Sequence, residues 1–186
     1  MKSGIRIAGG SLRGRVLRPP VGIRPTASRV RESLMDIWSP RLVGAKFLEL
    51  FAGSGAVGIE AVSRGASGLM LLDVDPQAVL QLHETIRSLG LPDVQVETAR
   101  LPEDLLGRLL HLRREFDLIF ADPPYAFDRY AELLQAMAGW LSPAGSLAVE
   151  HECREVPPDS CGDLRKVDER KYGDSCLSFY QLESGS

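Results

Sequence analysis

The chain has 186 residues, 44% hydrophobic and 25% charged, which suits one soluble domain of ordinary size with a full core. No apolar run approaches the ~20 residues that span a bilayer, and the basic N-terminus has no hydrophobic signal segment, so a membrane protein is excluded and the cytoplasm expected. The net charge of −3 conceals an asymmetry: Met1–Lys46 carries ten basic and two acidic residues, leaving 12 basic and 23 acidic for the remainder. A basic arm on an acidic body predicts that the arm meets a polyanion.

In chain order, Ile5–Ala8 and Arg15–Leu17 are short extended segments around the glycine-rich reversal Gly9–Gly14, which predicts a β-hairpin over 4–18 displaying Arg6, Arg13, Arg15 and Arg18. After the linker Pro19–Gly22, Arg24-Pro25-Thr26 reads as a helix entry with Thr26 or Ser28 as N-cap. Val30, Leu34 and Ile37 or Trp38 give the helix one apolar face, and Pro40 marks its predicted end. Arg24, Arg29 and Arg31 gather at its start, where phosphates would be held.

From Lys46 a different rhythm begins. Predicted strands at Phe47–Phe51, Leu69–Leu72, Val94–Glu97, Phe116–Ala121 and Ser146–Glu150 alternate with helices at Ala56–Ser63, Asp75–Leu89, Leu101–Leu112 and Tyr130–Met137. That alternation implies parallel βαβ units and a doubly wound α/β sheet. Ser175–Leu182 alternates as a strand with no helix before it, so it is expected as an antiparallel C-terminal edge strand paired near Leu164–Val167. Residues 1–40 read as a hairpin-and-helix extension, and 41–186 as the main domain. Cys153, Cys161 and Cys176 are odd in number and lack a CxxC pair. No disulfide framework is expected, and with His151 they fit no common zinc spacing, so no metal is expected either.

Two stretches carry chemistry. Gly53-Ser54-Gly55-Ala56-Val57-Gly58 matches GxGxxG after the first strand, a turn that serves nicotinamide and S-adenosylmethionine folds alike. Glu49, two residues before Phe51, would repel a pyrophosphate and suits the ammonium-bearing methionine portion of S-adenosylmethionine. Phe51, Ala52, Gly53, Ser54 and Gly55 then form the cofactor turn. Asp73 is placed for the ribose hydroxyls, and Val74 and Leu101 for the walls around adenine.

The second stretch is Asp122-Pro123-Pro124-Tyr125 at the end of the fourth strand. Two prolines stop the strand and make a stiff turn that offers a carboxylate, a free carbonyl and an aromatic face. A planar base bearing an exocyclic amine uses all three. The turn serves guanine N2 and adenine N6 equally well. A nicotinamide oxidoreductase and a catalytically silent RNA-binding module stand as the readings from other classes.

Four segments together resemble one family: Arg6-Ile7-Ala8-Gly9 with Arg13-Gly14-Arg15; Arg24-Pro25-Thr26 through Arg29–Leu34; Leu48–Gly55; and Asp122–Tyr125. Tyr172-Gly173-Asp174 with Leu177 also fits. The chain resembles the bacterial 16S ribosomal RNA guanine-N2 methyltransferases of the RsmD type over essentially its whole length. The resemblance implies a Rossmann-like class I methyltransferase using S-adenosylmethionine, released as S-adenosylhomocysteine, and acting as a monomer on 16S rRNA or the small ribosomal subunit. It implies catalytic roles for Asp122, Pro123, Pro124 and Tyr125, and RNA contacts from Arg6, Arg13, Arg15, Arg18, Arg24, Thr26 and Arg29. Ala99 stands where many class I methyltransferases carry an acid for the adenine amine, so backbone groups around Arg100–Leu101 are expected to serve there.

Overall fold

Strand residues that alternate between two apolar clusters build the centre of the molecule. In the computed structural model, which describes residues 4–19, 28–110 and 116–183, Phe47, Leu69, Leu71, Leu118 and Phe120 face one cluster. Their neighbours Leu48, Leu50, Met70, Leu72, Ile119 and Ala121 face the other, the period-two pattern of a sheet covered on both sides. The parallel strands are β3 (Lys46–Leu50), β4 (Gly68–Asp73), β5 (Val94–Thr98), β6 (Phe116–Ala121) and β7 (Leu141–Glu152). Helices α2 (Ala56–Ser63), α3 (Pro76–Leu89), α4 (Glu103–Leu106) and α5 (Tyr130–Ala138) connect them. With β8 (Ser160–Cys161), β9 (Leu164–Tyr172) and β10 (Ser175–Leu182), the eight strands run in the order β5-β4-β3-β6-β7-β10-β9-β8. The order reverses between β3 and β6, where doubly wound sheets open a crevice at their carboxyl ends. Among the described residues no helix is long and apolar enough to cross a membrane.

The mostly parallel α/β sheet matches expectation, with several refinements. The C-terminal strand β10 is antiparallel, but it lies inside the sheet between β7 and β9, and the edge is the two-residue β8. The reason is a second hairpin, β9–β10, turned at Gly173 (φ +66), which adds outside rather than stopping at one pairing. Helix α4 is one turn instead of three, because Gly107 (φ −130, ψ −102) leaves the helical region. Cys153 and Cys176 form a disulfide, contrary to expectation. Antiparallel registration of β10 on β7 sets Cys176 opposite His151 and brings the two cysteine Cα atoms to 5.0 Å, a proximity invisible in a 23-residue separation.

The N-terminal elements pack onto this sheet. β1 (Ile5–Arg6) pairs antiparallel with β2 (Val16–Leu17), and Ile5, Ile7 and Leu17 enter the same apolar cluster as Phe47 and Phe120. The glycine reversal seats on the end of α2. Ser63 Oγ donates to the Gly9 carbonyl at 2.6 Å and accepts from Leu12 N at 2.8 Å, while Ser11 N donates to the Ser63 carbonyl at 2.7 Å. Gly10 has φ +75, and a Cβ there would lie 1.8 Å from the Ser63 oxygen, so the approach requires glycine.

Helix α1 (Ser28–Leu42) runs through Pro40 rather than ending at it. The carbonyl that Pro40 leaves without a helical partner belongs to Asp36, an exposed residue, and the added turn buries Leu42. Trp38 anchors the helix, meeting Phe47 and Phe179 edge-on at 5.8 and 6.2 Å and donating to Ser146 Oγ at 3.2 Å.

Candidate active site

Register places the candidate residues on one row. Leu50 pairs with Leu72 on one side and Ala121 on the other, so Phe51, Asp73 and Asp122 follow level with one another at the carboxyl ends of β3, β4 and β6. Two strand spacings, about 10 Å, separate the Asp73 and Asp122 backbones. The glycine turn rises between them.

That turn is tied down from both sides. Asp73 Oδ2 accepts the Gly53 N–H at 2.7 Å, and Oδ1 accepts the Asp75 N–H at 2.9 Å. Each oxygen retains a second lone pair for a ligand hydroxyl. Asp75 caps α3 by accepting from Gln77 N at 2.9 Å, which leaves the capping duty to it and not to Asp73. Gly55 opens α2 at φ +68, and Phe51 leaves β3 at φ +55. A left-handed phenylalanine at a strand end is a strained conformation of the kind that clusters at functional sites.

Glu49 lies just beneath the turn, 3% exposed, with Oε2 accepting the Gly58 N–H at 2.7 Å. Gly58 must lack a side chain, since a Cβ would stand 2.8 Å from that oxygen and 2.5 Å from Leu69 Cδ1. Burial pushes the Glu49 carboxyl up to about 8; the charges of Asp122 and Asp73 push the same way, against backbone hydrogen bonds from Gly58 and Val57. Three carboxylates thus feel one another around one crevice. That is the complement of a cation, and these acceptors fit the sulfonium and ammonium groups that S-adenosylmethionine carries.

Of the two residues expected beside adenine, Val74 is 56% exposed and offers an open apolar surface, whereas Leu101 is only 7% exposed and belongs mainly to the core. Ala99 is fully buried, donating its N–H to the Asp73 carbonyl at 2.7 Å. The Arg100 N–H expected for adenine is already donated to Asp104 Oδ2 at 2.8 Å.

The turn after β6 carries Asp122 and Pro123 half-buried and Pro124 and Tyr125 exposed. Ala126 at φ +60 reverses the chain, with Phe127 N donating to the Pro124 carbonyl at 3.2 Å. This reversal builds an aromatic ladder that sequence reasoning missed. Phe127 meets Phe51 edge-on at 5.6 Å and Tyr130 at 5.2 Å, and Tyr130 meets His151 at 6.3 Å. Tyr130 donates its hydroxyl to Glu155 Oε2 at 2.6 Å. Desolvation, followed by the Glu155 bond, holds its phenol well above the usual range. The signal available was the aromatic spacing after Tyr125; the partners, from β3 and β7, were not in it. Arg154 was missed as well. Its Nη2 donates to the Tyr125 hydroxyl, and Nε pairs with Glu152 Oε2 at 2.5 Å.

Arg6, Arg13, Arg15, Arg18 and Arg29 are all exposed on the hairpin and α1, while Arg24 and Thr26 lie outside the described residues. Arg31, expected at the phosphates, is instead 2% exposed. It pairs with Glu60 Oε2 at 2.9 Å and donates to the Arg6 carbonyl at 2.9 Å, turned inward because α1 packs on α2. Tyr172, at the end of β9, bonds Ser33 of α1.

The sheet order, the turn pinned by Asp73 and the acidic crevice define a class I S-adenosylmethionine-dependent methyltransferase. The family model described as Conserved hypothetical protein 95 matches residues 5–181. The chain is 33% identical over 184 residues to ribosomal RNA small subunit methyltransferase D of Escherichia coli K12, covering 97% of this chain and 91% of that protein. It is 32% identical over 157 residues to the protein of the same name from Haemophilus influenzae, covering 81% and 80%. A solved Escherichia coli chain, provisionally named the methyltransferase yhhF, superposes with a TM-score of 0.86 at 33% identity, covering 97% and 99%. The chain belongs to the RsmD family of rRNA methyltransferases.

Proposed function

We propose that this protein methylates the exocyclic N2 amine of a guanine in 16S ribosomal RNA, as a monomer in the bacterial cytoplasm. The observation that carries transfer to an exocyclic amine is the Asp122–Tyr125 turn, set level with the cofactor turn on the neighbouring strand, and the choice of guanine in 16S rRNA rests on the family resemblance. S-adenosylmethionine, held by Glu49, the Phe51–Gly55 turn and Asp73 with Val74 and Leu101 toward adenine, supplies an electrophilic sulfonium methyl.

The chain's own residues prepare the amine. Its lone pair is delocalised into the purine ring, which makes it a poor nucleophile. The Asp122 carboxylate and the Pro123 carbonyl each accept one N–H, turning the lone pair out of conjugation and stabilising positive charge as it develops on nitrogen. Pro124 keeps the turn rigid. Tyr125, exposed at the mouth, stacks on the flipped base. Asp122 takes the surplus proton after transfer. Residues 1–40 act as an RNA-binding extension of the 41–186 methyltransferase domain, with Arg6, Arg13, Arg15, Arg18, Arg24, Thr26 and Arg29 on phosphates.

The test is transfer of labelled methyl to small-subunit particles and to free rRNA, followed by nucleoside analysis. N2-methylguanosine is expected; N6-methyladenosine would overturn the choice of base.

A further inference from the structure

We propose that Arg154 presents the Tyr125 ring and reads the outer edge of the target base, favouring guanine over adenine; this rests on the function proposed above. Tyr125 leaves a proline turn with 72% of its surface exposed, and both its ring and its hydroxyl are engaged by Arg154. The guanidinium carbon lies 5.4 Å from the ring centroid while Nη2 holds the hydroxyl. That combination places the cation beyond the hydroxyl end of the ring rather than across its centre, so a ring face stays available for stacking.

The cation is itself anchored. Nε is fixed by Glu152 at the end of β7, and the adjoining Cys153 is tied to Cys176 on β10, with Cys153 N donating to the Asp174 carbonyl at 2.8 Å. Arg154 is thus an exposed side chain anchored beside Tyr125, and its Nη1 makes no hydrogen bond among the described residues.

Base chemistry supplies the discrimination. With the N2 amine of guanine at Asp122, the Watson–Crick edge runs outward through N1 to O6, and an arginine N–H directed there meets a carbonyl acceptor. With the N6 amine of adenine at Asp122, the same edge ends at C2–H, which accepts nothing. Arg154 is 68% exposed in the free protein, and a base stacked on Tyr125 covers its guanidinium, so a donor left unmatched over adenine disfavours the wrong base.

After the methylated guanine is mapped with the wild type, that position is replaced by 2-aminopurine, which keeps the amine and lacks O6. Wild-type kcat/KM should fall on the order of 10- to 100-fold on the replaced RNA. Arg154→Met should lose a similar factor on guanine RNA, show no further loss on 2-aminopurine RNA, and bind S-adenosylmethionine as the wild type does. Arg154→Lys, which keeps the charge without the planar fork, should fall between. Arg154→Met that retains the guanine rate, or that loses equally on both RNAs, would overturn the assignment, the second result marking an interaction with the RNA backbone instead. Adenine modification by the wild type would overturn the proposed function together with it.

Discussion

Replacing Glu49 with Gln keeps an acceptor for the Gly58 N–H and removes a charge from the base of the crevice. The buried carboxyl is raised from 4.5 to about 8, so between those values the native protein holds a proton that the unfolded chain has released. Stability from this group is complete below pH 4.5 and is lost as pH rises through 8. At about 1.36 kcal/mol per pH unit, the loss amounts to as much as about 5 kcal/mol. Every other titrating group is common to wild type and variant, so the difference between their urea-unfolding free energies isolates Glu49. The two should be nearly equal at pH 5, and Glu49→Gln should be more stable by several kcal/mol at pH 9. Cofactor affinity should run the opposite way, because a cation favours the ionised carboxylate. Wild-type binding, followed by calorimetry, should tighten from pH 6 to 8, and binding by the variant should be weaker and flat. Parallel stability curves for the two proteins would refute both the raised carboxyl and its role beneath the cation.

Asp122→Ala should lower kcat by at least ~10²-fold with cofactor affinity retained, the size expected when one preorganised hydrogen bond to a developing charge is removed; single-turnover transfer at wild-type rate would remove Asp122 from the mechanism. Arg13→Glu with Arg15→Glu should weaken RNA binding and reduce the slope of log affinity against log salt by about one for each phosphate no longer neutralised, without changing thermal stability. Deleting the hairpin is a poorer experiment, since Ile5, Ile7 and Leu17 would leave a hole in the core. Arg31→Met should destabilise the fold by about 3–5 kcal/mol, because Glu60, fully buried, would keep only Arg64 at 2.8 Å; a loss of unfolding free energy below about 1 kcal/mol, measured in urea, would show that the pair contributes little.

What the linear chain determines is local. The glycine turn, the strand ended by Pro123 and Pro124 and the capping Asp75 each depend on backbone chemistry within a few residues, so Asp73 and Asp122 could be placed at strand ends before any fold was known. Helix α2 and strand β10 have the bounds expected of them for the same reason. Tertiary structure decided whatever depends on partners far along the chain. Arg31 looks like its neighbours in sequence, yet helix packing buries it on Glu60. Cys153 meets Cys176 only because β10 inserts beside β7. Phe127 reaches the candidate site through Phe51, and Arg154 through Tyr125, across separations that no spacing rule encodes. A side chain's identity fixes what it can bond to, and only the closed sheet brings it a partner.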